Sequence, residues 1–384
     1  MVRSSGTIKR DVTIESSLPS ALRRAALEGR TKADRAADFG ATMCSYEEER
    51  LKMKAAYITQ PGPPDCIQVG ELPPPVLHED AVLVKVHAVS VNPIDTYIRN
   101  GANYWPLPSP FILGCDFAGE VVATGAHVRS IAIGQRVWGS NQGLLGRQGT
   151  FAEFAVIDPA WVYPSPDAVN DIDLAAVALV GITAHLGLFS KARLRPNETL
   201  FVRGGTGGVG AMVLQMARAI GARVITTAGS EAKAQRCRDL GADEVIEYQR
   251  EDTAEALKRL APEGVDVYWE TLREPDFDAA VGALAANGRM VLMAGRDARP
   301  AFPVGPFYVK GCSLHGFAMF KASPSDQRLA AQEINHWLST GKLKAQIDRV
   351  LPLDQAAEAH RLQESNTLSK SGVLQGKIVL RVPG

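Results

Sequence analysis

The sequence predicts an α/β protein, with a doubly wound parallel sheet joined to a smaller β-rich unit. Three observations predict this. From about residue 174, apolar strand-like runs alternate with helix-length stretches, as in parallel strands covered by helices on both faces. Earlier, between residues 53 and 156, short β-branched runs are separated by Gly114, Gly119, Gly125, Gly134 and Gly139. That spacing suits a compact antiparallel β unit. Finally, one apolar run leads straight into a glycine-rich turn at 204–210 that opens an Ala-rich helix.

The bulk properties agree. A chain of 384 residues corresponds to two or three domains at about 150 residues each. Lys plus Arg is 42 and Asp plus Glu is 42, a net charge of zero. This argues against a protein whose main partner is nucleic acid or an anionic membrane. The longest uncharged apolar stretch, 174–189, contains Gly181, His185 and Gly187 and falls short of the roughly 20 residues of a membrane span. The cysteines are Cys44, Cys66, Cys115, Cys237 and Cys312. Their odd number, wide spacing and lack of a CxxC argue against a disulfide scaffold or a Cys-rich zinc module. A reduced, cytoplasmic protein is expected.

Taken in order, residues 1–52 are rich in Ser, Ala and Arg and have no continuous apolar core, so they are not a secretory signal. Asp11, Glu15 and Glu28 make them less acid-poor than a transit peptide should be, which leaves a mitochondrial presequence as the lesser alternative. A flexible extension is expected, with Met53 opening the first strand. Pro61 to Pro64 break that strand, and 82–89 forms the next, strongly β-prone one. Shorter strands follow at 120–122, 135–138 and 151–156, then a buried helix over 174–190. Strands at 200–203, 223–227, 244–248, 265–269 and 289–293 then alternate with helices at 208–220, 230–240, 252–260 and 276–286. A strand at 313–317, a helix near 326–340 and a terminal strand at 376–380 complete the chain.

The glycine-rich turn carries the chemistry. Gly205, Gly207 and Gly210, with Thr206, Gly208 and Val209 between them, fit G-x-G-x-x-G directly after a strand. The first glycine permits a tight turn, the second lets the backbone approach a pyrophosphate, and the third permits close helix–strand packing. The helix N-terminus supplies free N–H donors to the phosphates. An NAD site calls for an acid about 20 residues further on, at the end of the second strand. Here that stretch is Thr226-Thr227-Ala228-Gly229-Ser230, and no carboxylate appears before Glu231. Ser230, Lys233 and Arg236 offer a hydroxyl and cations instead, which suits the 2′-phosphate of NADPH.

Together these motifs resemble the medium-chain dehydrogenase/reductases. Within them, the stretch Val89-Ser90-Val91-Asn92-Pro93-Ile94-Asp95-Thr96-Tyr97-Ile98-Arg99 is similar to the zinc-independent quinone oxidoreductases of the zeta-crystallin type. The resemblance covers residues 53–384. It implies a GroES-like catalytic domain made of 53–178 and 321–384 around a central Rossmann NADPH-binding domain at 179–320. Zinc-dependent members carry Cys where Asn92 stands and Gly-His-Glu where Gly114-Cys115-Asp116 stands, so no metal site is expected here. Cys115 then reads as a small core residue. The resemblance places Asn92, Tyr97 and Thr183 near the nicotinamide, and Ser230, Lys233 and Tyr248 around the 2′-phosphate. It gives the carboxamide to the backbone around Met293 and Gly295. Tyr104 corresponds to a pocket tyrosine, beside one extra residue in this chain. A homodimer or homotetramer is expected as well.

Without zinc, the acceptor must itself be easily reduced: a quinone, or an activated carbon–carbon double bond. The leading expectation is an NADPH-dependent quinone oxidoreductase with Asn92, Tyr97 and Tyr104 as its catalytic residues. The alternatives are an NADPH-dependent reductase of enones or enoyl substrates, in which Tyr104 and Asn92 act as proton donor and oxyanion partner, and a non-catalytic, crystallin-like NADPH-binding protein. Asp95 is expected to fix its loop and Trp269 to pack in the core. His185, His336 and His360 read as helix residues and His315 as a strand residue, with no metal-ligand spacing among them.

Overall fold

The computed structural model describes residues 52–102, 105–368 and 372–383. Nearly all of the expected extension, and Tyr104, lie outside them.

The six-stranded sheet is parallel throughout. Its spatial order is Glu244–Glu247, Arg223–Ala228, Thr199–Val202, Val265–Glu270, Leu284–Leu292, Ser313–Gly316. In chain order this is 3-2-1-4-5-6, the doubly wound arrangement. Leu200, Phe201 and Val202 are fully buried, because helices cover both faces of a central parallel strand. The strand order reverses between Thr199–Val202 and Val265–Glu270, and a crevice opens at their carboxyl ends.

The second large sheet is built from both ends of the described chain. Ile347–Pro352 and Lys377–Arg381 lie beside Val82–Val91, followed by Phe117–Thr124, Arg136–Gly139 and Val162–Pro164. The last strand pairs antiparallel with Val82–Val91, with Ile378 opposite Val91. A three-stranded sheet, Gln68–Leu72, Met53–Ile58 and Phe111–Ile112, completes the β unit.

The helix Asp171–His185, capped by the Asn170 side chain accepting from Asp173 N at 2.9 Å, joins the two cores. One apolar cluster contains its Ala175, Val177 and Ile182 together with Trp138 of the β unit and Leu200 of the parallel sheet. The helix is apolar on every side, as a fully buried helix should be. It continues to Lys191, giving 21 residues that are by length and composition apolar enough to cross a membrane; 78% of its most apolar window is buried inside the fold. Burial, and not the shortness of the apolar stretch, therefore marks it as a core helix.

Other differences from the sequence reading have physical reasons. The helix expected over 276–286 stops at Ala283, and Leu284–Leu292 starts as a strand at once. The strand Ile347–Pro352 and the helix Val304–Val309 were not anticipated, and of the helix Ala356–Thr367 only His360 was read as helical. The buried face of Ala356–Thr367 is Ala356, Ala359, His360 and Gln363, which carries almost no hydrophobic period. His360, expected on a helix face, is fully buried with both ring nitrogens unpartnered, and burial holds its imidazole down at about 3. Trp269 is fully buried, and its ring lies where a Cβ on Gly187 would stand, 2.2 Å from Cη2.

Close backbone approach sets some glycines. A Cβ on Gly119 would lie 2.0 Å from the carbonyl oxygen of Lys85 on the paired strand, whereas a Cβ on Gly282 meets nothing within 4 Å. Gly119→Ala should therefore lower stability by at least about 2 kcal/mol, the scale of forced backbone shifts. Gly282→Ala, in the helix Phe277–Ala283, should be neutral or stabilising by up to about 1 kcal/mol. Denaturant unfolding of both variants measures the difference.

Candidate active site

The glycine-rich turn lies at the carboxyl edge of the parallel sheet, where Thr199–Val202 feeds the helix Gly208–Ala219. Each glycine has its own reason. Gly204 takes φ +90°, so the left-handed residue sits one position before the first motif glycine. A Cβ on Gly205 would lie 2.5 Å from Thr226 Oγ1, and one on Gly210 would lie 2.2 Å from the Gly204 carbonyl oxygen. Those two allow the turn to press on strand and helix. Gly207 has no neighbour closer than 3.5 Å, and as N-cap residue it leaves an open approach to the free N–H groups of the helix.

At the end of the second strand, Ser230 and Tyr248 lie on either side of Gly229, and Lys233 stands in the first turn of the helix that follows. Ser230 caps the helix Glu231–Asp239, its Oγ accepting from Lys233 N at 3.4 Å. The Tyr248 hydroxyl lies over Gly229, 2.3 Å from where a Cβ would stand, and the Lys233 ammonium reaches Gly372. Glu231, the first acid after the strand, pairs with Arg238 and Arg250 at 3.3 and 3.0 Å. Arg236 turns away to Gln346 and Gln375.

On the other side of the crevice, the Thr183 hydroxyl is buried and has no protein partner. Met293 and Gly295 follow Leu284–Leu292. Gly295 takes φ +83°, and its Cα packs against the Arg273 carbonyl. Arg273 reaches across to the loop after Val82–Val91: its Nη2 donates to the Tyr97 hydroxyl at 2.8 Å and its guanidinium stacks over the Tyr97 ring. Arg296 Nη1 donates to the Ala102 carbonyl of the same loop. Open glycine backbone before a helix N-terminus and an orphaned buried hydroxyl across the crevice fit a dinucleotide.

The wall opposite the turn is a buried polar network. Asn92, Cys115 and Asp116 are fully buried, Asp95 is 2% exposed and Lys377 5%. Asp116 accepts from Asn92 Nδ2 at 2.8 Å, from Ser90 Oγ at 2.7 Å and from Ser140 Oγ at 2.7 Å. Lys377 Nζ donates to the Val91 carbonyl at 2.8 Å and to Asn92 Oδ1. Its stem lies against Gly208, 3.5 Å from where a Cβ would stand. Asn92 N donates to Asp95 Oδ2 at 2.8 Å, and Pro93 starts the helix Pro93–Arg99. Asp95 thus fixes the loop. Asn92 Nδ2 also donates to the Ser90 carbonyl at 3.5 Å, so both hydrogens and the oxygen of its amide point into the wall. Among the described catalytic expectations, only Tyr97 presents a polar group toward the opposite side of the crevice.

Burial pushes the Asp116 carboxyl up and the Lys377 ammonium down, each partly offset by the other. Burial raises the Cys115 thiol well above its usual value. A zinc ion does not fit this set: a neutral thiol, an engaged amide and a bonded ammonium offer no open tetrahedral donor group.

The sequence reading missed Lys377, Arg273 and Arg296. Lys377 stood only as a residue of the terminal strand expected at 376–380. The Asn-Pro-x-Asp spacing at 92–95, a helix-start signature, was the local signal available for the short helix.

A family model described as alcohol dehydrogenase GroES-like domain matches residues 78–167, and one described as zinc-binding dehydrogenase matches 208–335. A quinone oxidoreductase of Sus scrofa is 31% identical over 310 residues, 80% of this chain and 93% of that protein. This chain belongs to the medium-chain dehydrogenase/reductase family. A trans-enoyl reductase of Aspergillus terreus is also 31% identical, over 329 residues, 80% of this chain and 87% of that one. A solved NAD-dependent alcohol dehydrogenase superposes with TM-score 0.78 at 31% identity, covering 86% of this chain and 100% of that one. A mycobacterial protein solved in complex with NADPH gives 0.74 at 28% identity, covering 86% and 99%. The fold is that of the family, a Rossmann sheet with a GroES-like β unit.

The network has a pH signature. Burial holds the Asp95 carboxyl up at about 7, against about 3.9 in an unfolded chain. Between those values the folded state binds more protons, so this group favours folding below about pH 4 and loses that contribution as pH rises to about 7. Asp95→Asn keeps an oxygen for Asn92 N but cannot ionise. Its melting temperature relative to the parent should therefore climb steadily from pH 4 to pH 8. A difference that stays flat across that range would exclude a raised Asp95.

Proposed function

We propose that this member of the family is an NADPH-dependent reductase of quinones that works without zinc. The observation that carries the reading is the buried wall opposite the glycine turn, where Asn92, at a position that is a cysteine in zinc-dependent members, is engaged by Lys377 and Asp116. Such a wall holds no Lewis acid for a plain alcohol or ketone, so the acceptor must already be electrophilic. When bound, NADPH supplies the hydride, and a quinone needs only one proton more to become a hydroquinone.

In this reading, Gly205 to Gly210 hold the pyrophosphate, while Ser230, Lys233 and Tyr248 hold the 2′-phosphate. Thr183 and the backbone at Met293 and Gly295 hold the nicotinamide side. Tyr97 lines the acceptor pocket, and so does Tyr104, on the family resemblance alone. Asn92 acts through the loop it positions. The proposed domains, 53–178 with 321–384 and 179–320, divide inside the helix Asp171–His185, in keeping with its packing in both cores.

Coenzyme choice rests on Lys233, which forms no ion pair with an acid among the described residues and lies in the first turn of the helix capped by Ser230. Charge-assisted hydrogen bonds contribute about 1.5–3 kcal/mol each. Lys233→Ala should weaken NADPH binding about tenfold or more and leave NADH binding unchanged. Equal weakening of both would assign Lys233 a structural role.

The similarity to a trans-enoyl reductase supports a second reading, reduction of an activated double bond. Steady-state NADPH oxidation separates the two. With 1,4-benzoquinone, kcat/KM should exceed that for an α,β-unsaturated ketone by at least tenfold, and a chelator should not change it. Preference for the enone overturns the quinone reading; loss of activity to chelator with recovery on zinc overturns the metal-free one.

A further inference from the structure

We propose a second ligand site, for a small phosphate-bearing anion, at the amino edge of the parallel sheet, opposite the coenzyme crevice. A cleft of about 460 Å³ there is lined by Lys191, Arg193, Arg195, Arg289, Ser313 and His315. Arg289 and Ser313 face each other where the pairing of Leu284–Leu292 with Ser313–Gly316 begins, and Arg195 lies just before Thr199–Val202.

The backbone presents these cations deliberately. Along 191–195, Ala192 and Leu194 are buried, while Lys191, Arg193 and Arg195 are exposed between them. Ala192 N donates to the Gly187 carbonyl and Leu194 N to the Leu188 carbonyl, both at 2.9 Å. Arg193 takes φ +51°, a left-handed conformation that is costly for a residue with a Cβ. Arg289 braces the segment: its Nη1 donates to the Arg193 carbonyl at 3.4 Å and its Nη2 pairs with Glu198 at 2.8 Å. Glu198 also accepts from Arg195 N at 2.8 Å.

Glu198 is the one carboxylate paired with these four cations among the described residues. The side chains of Lys191, Arg193 and Arg195 have no acid or hydrogen-bond partner among them. In a chain of zero net charge, this is a local excess of positive charge in a concave site. Partial burial and the nearby Lys191, Arg289 and Arg193 hold the His315 imidazole below its ordinary value. Guanidinium forks and a serine hydroxyl match the several acceptor oxygens of a phosphate. The cleft is the size of a small phosphorylated molecule rather than of a duplex groove.

His315 is a built-in reporter. The experiment follows its ring resonances by NMR in the full chain as inorganic pyrophosphate is added at constant ionic strength. Pyrophosphate should shift them saturably and raise the His315 pKa, since a bound anion offsets the cations around it. Lys191→Ala, Arg193→Ala and Arg195→Ala combined, all at exposed positions, should weaken that response at least tenfold. Their NADPH affinity should be unchanged, which reports an intact fold. No saturable shift, an equal shift in the triple variant, or a response to single-stranded RNA with none to pyrophosphate would overturn the proposal.

Discussion

The buried ammonium of Lys377 is the interaction on which the rest of the site depends. It enters from the last strand, bonds the loop that follows Val82–Val91, and lies against the first residue of the glycine-turn helix. One cation thus ties together the chain's end, the catalytic loop and the coenzyme turn. Removing one partner from a buried charged network typically costs about 3–5 kcal/mol, because the remaining charge is left uncompensated. Here the uncompensated group would be Asp116, already pushed up by burial and stabilised by three side-chain donors. The antiparallel register of Ile378 against Val91 is what delivers the ammonium to Asn92, so strand pairing and site electrostatics constrain each other.

The same cation explains why this wall and a zinc site are different instruments. A metal with an open coordination position exchanges ligands and polarises an oxygen directly. An ammonium whose hydrogens are directed to the Val91 carbonyl and Asn92 Oδ1 supplies charge but no vacant orbital. The network is therefore suited to holding a loop in one shape, and acceleration must come from alignment of coenzyme and acceptor. That division of labour suits acceptors which are already electron-poor.

Legibility from sequence followed how local each cause was. The glycine turn was legible because the strand, the turn and the helix are contiguous, and its geometry depends on neighbours close in the chain. The missing acid after the second strand was legible for the same reason, and Glu231 is indeed occupied by Arg238 and Arg250. Lys377 was not legible, because its partners Asn92 and Val91 lie 285 and 286 positions away. Nor was Arg273, which meets Tyr97 only across the crevice. Apart from His360, the helix Ala356–Thr367 escaped because alanine, histidine and glutamine form its buried face, so burial there leaves no apolar stripe to read. The membrane argument erred in the opposite sense: length alone does not separate a core helix from a span, and only its neighbours do.

The contacts that bridge the crevice fall into two energetic classes, and their placement determines which side can open. At the nicotinamide end, Arg273 and Arg296 make exposed hydrogen bonds to Tyr97 and Ala102. Solvent competes for such groups, so each contributes little, about 0–1 kcal/mol. The helix Asp171–His185, which carries Thr183, is instead buried against both cores, where separation would expose apolar area at about 25 cal/mol per Å². Lys377 stands between them, buried and bonded to the catalytic loop. Widening the crevice at the arginine edge therefore costs little, whereas parting the two cores at the shared helix costs much more. Arg273 and Gly295 belong to the same edge of the crevice, so they part together when it widens. The Lys377 network keeps the opposing wall in shape while they move.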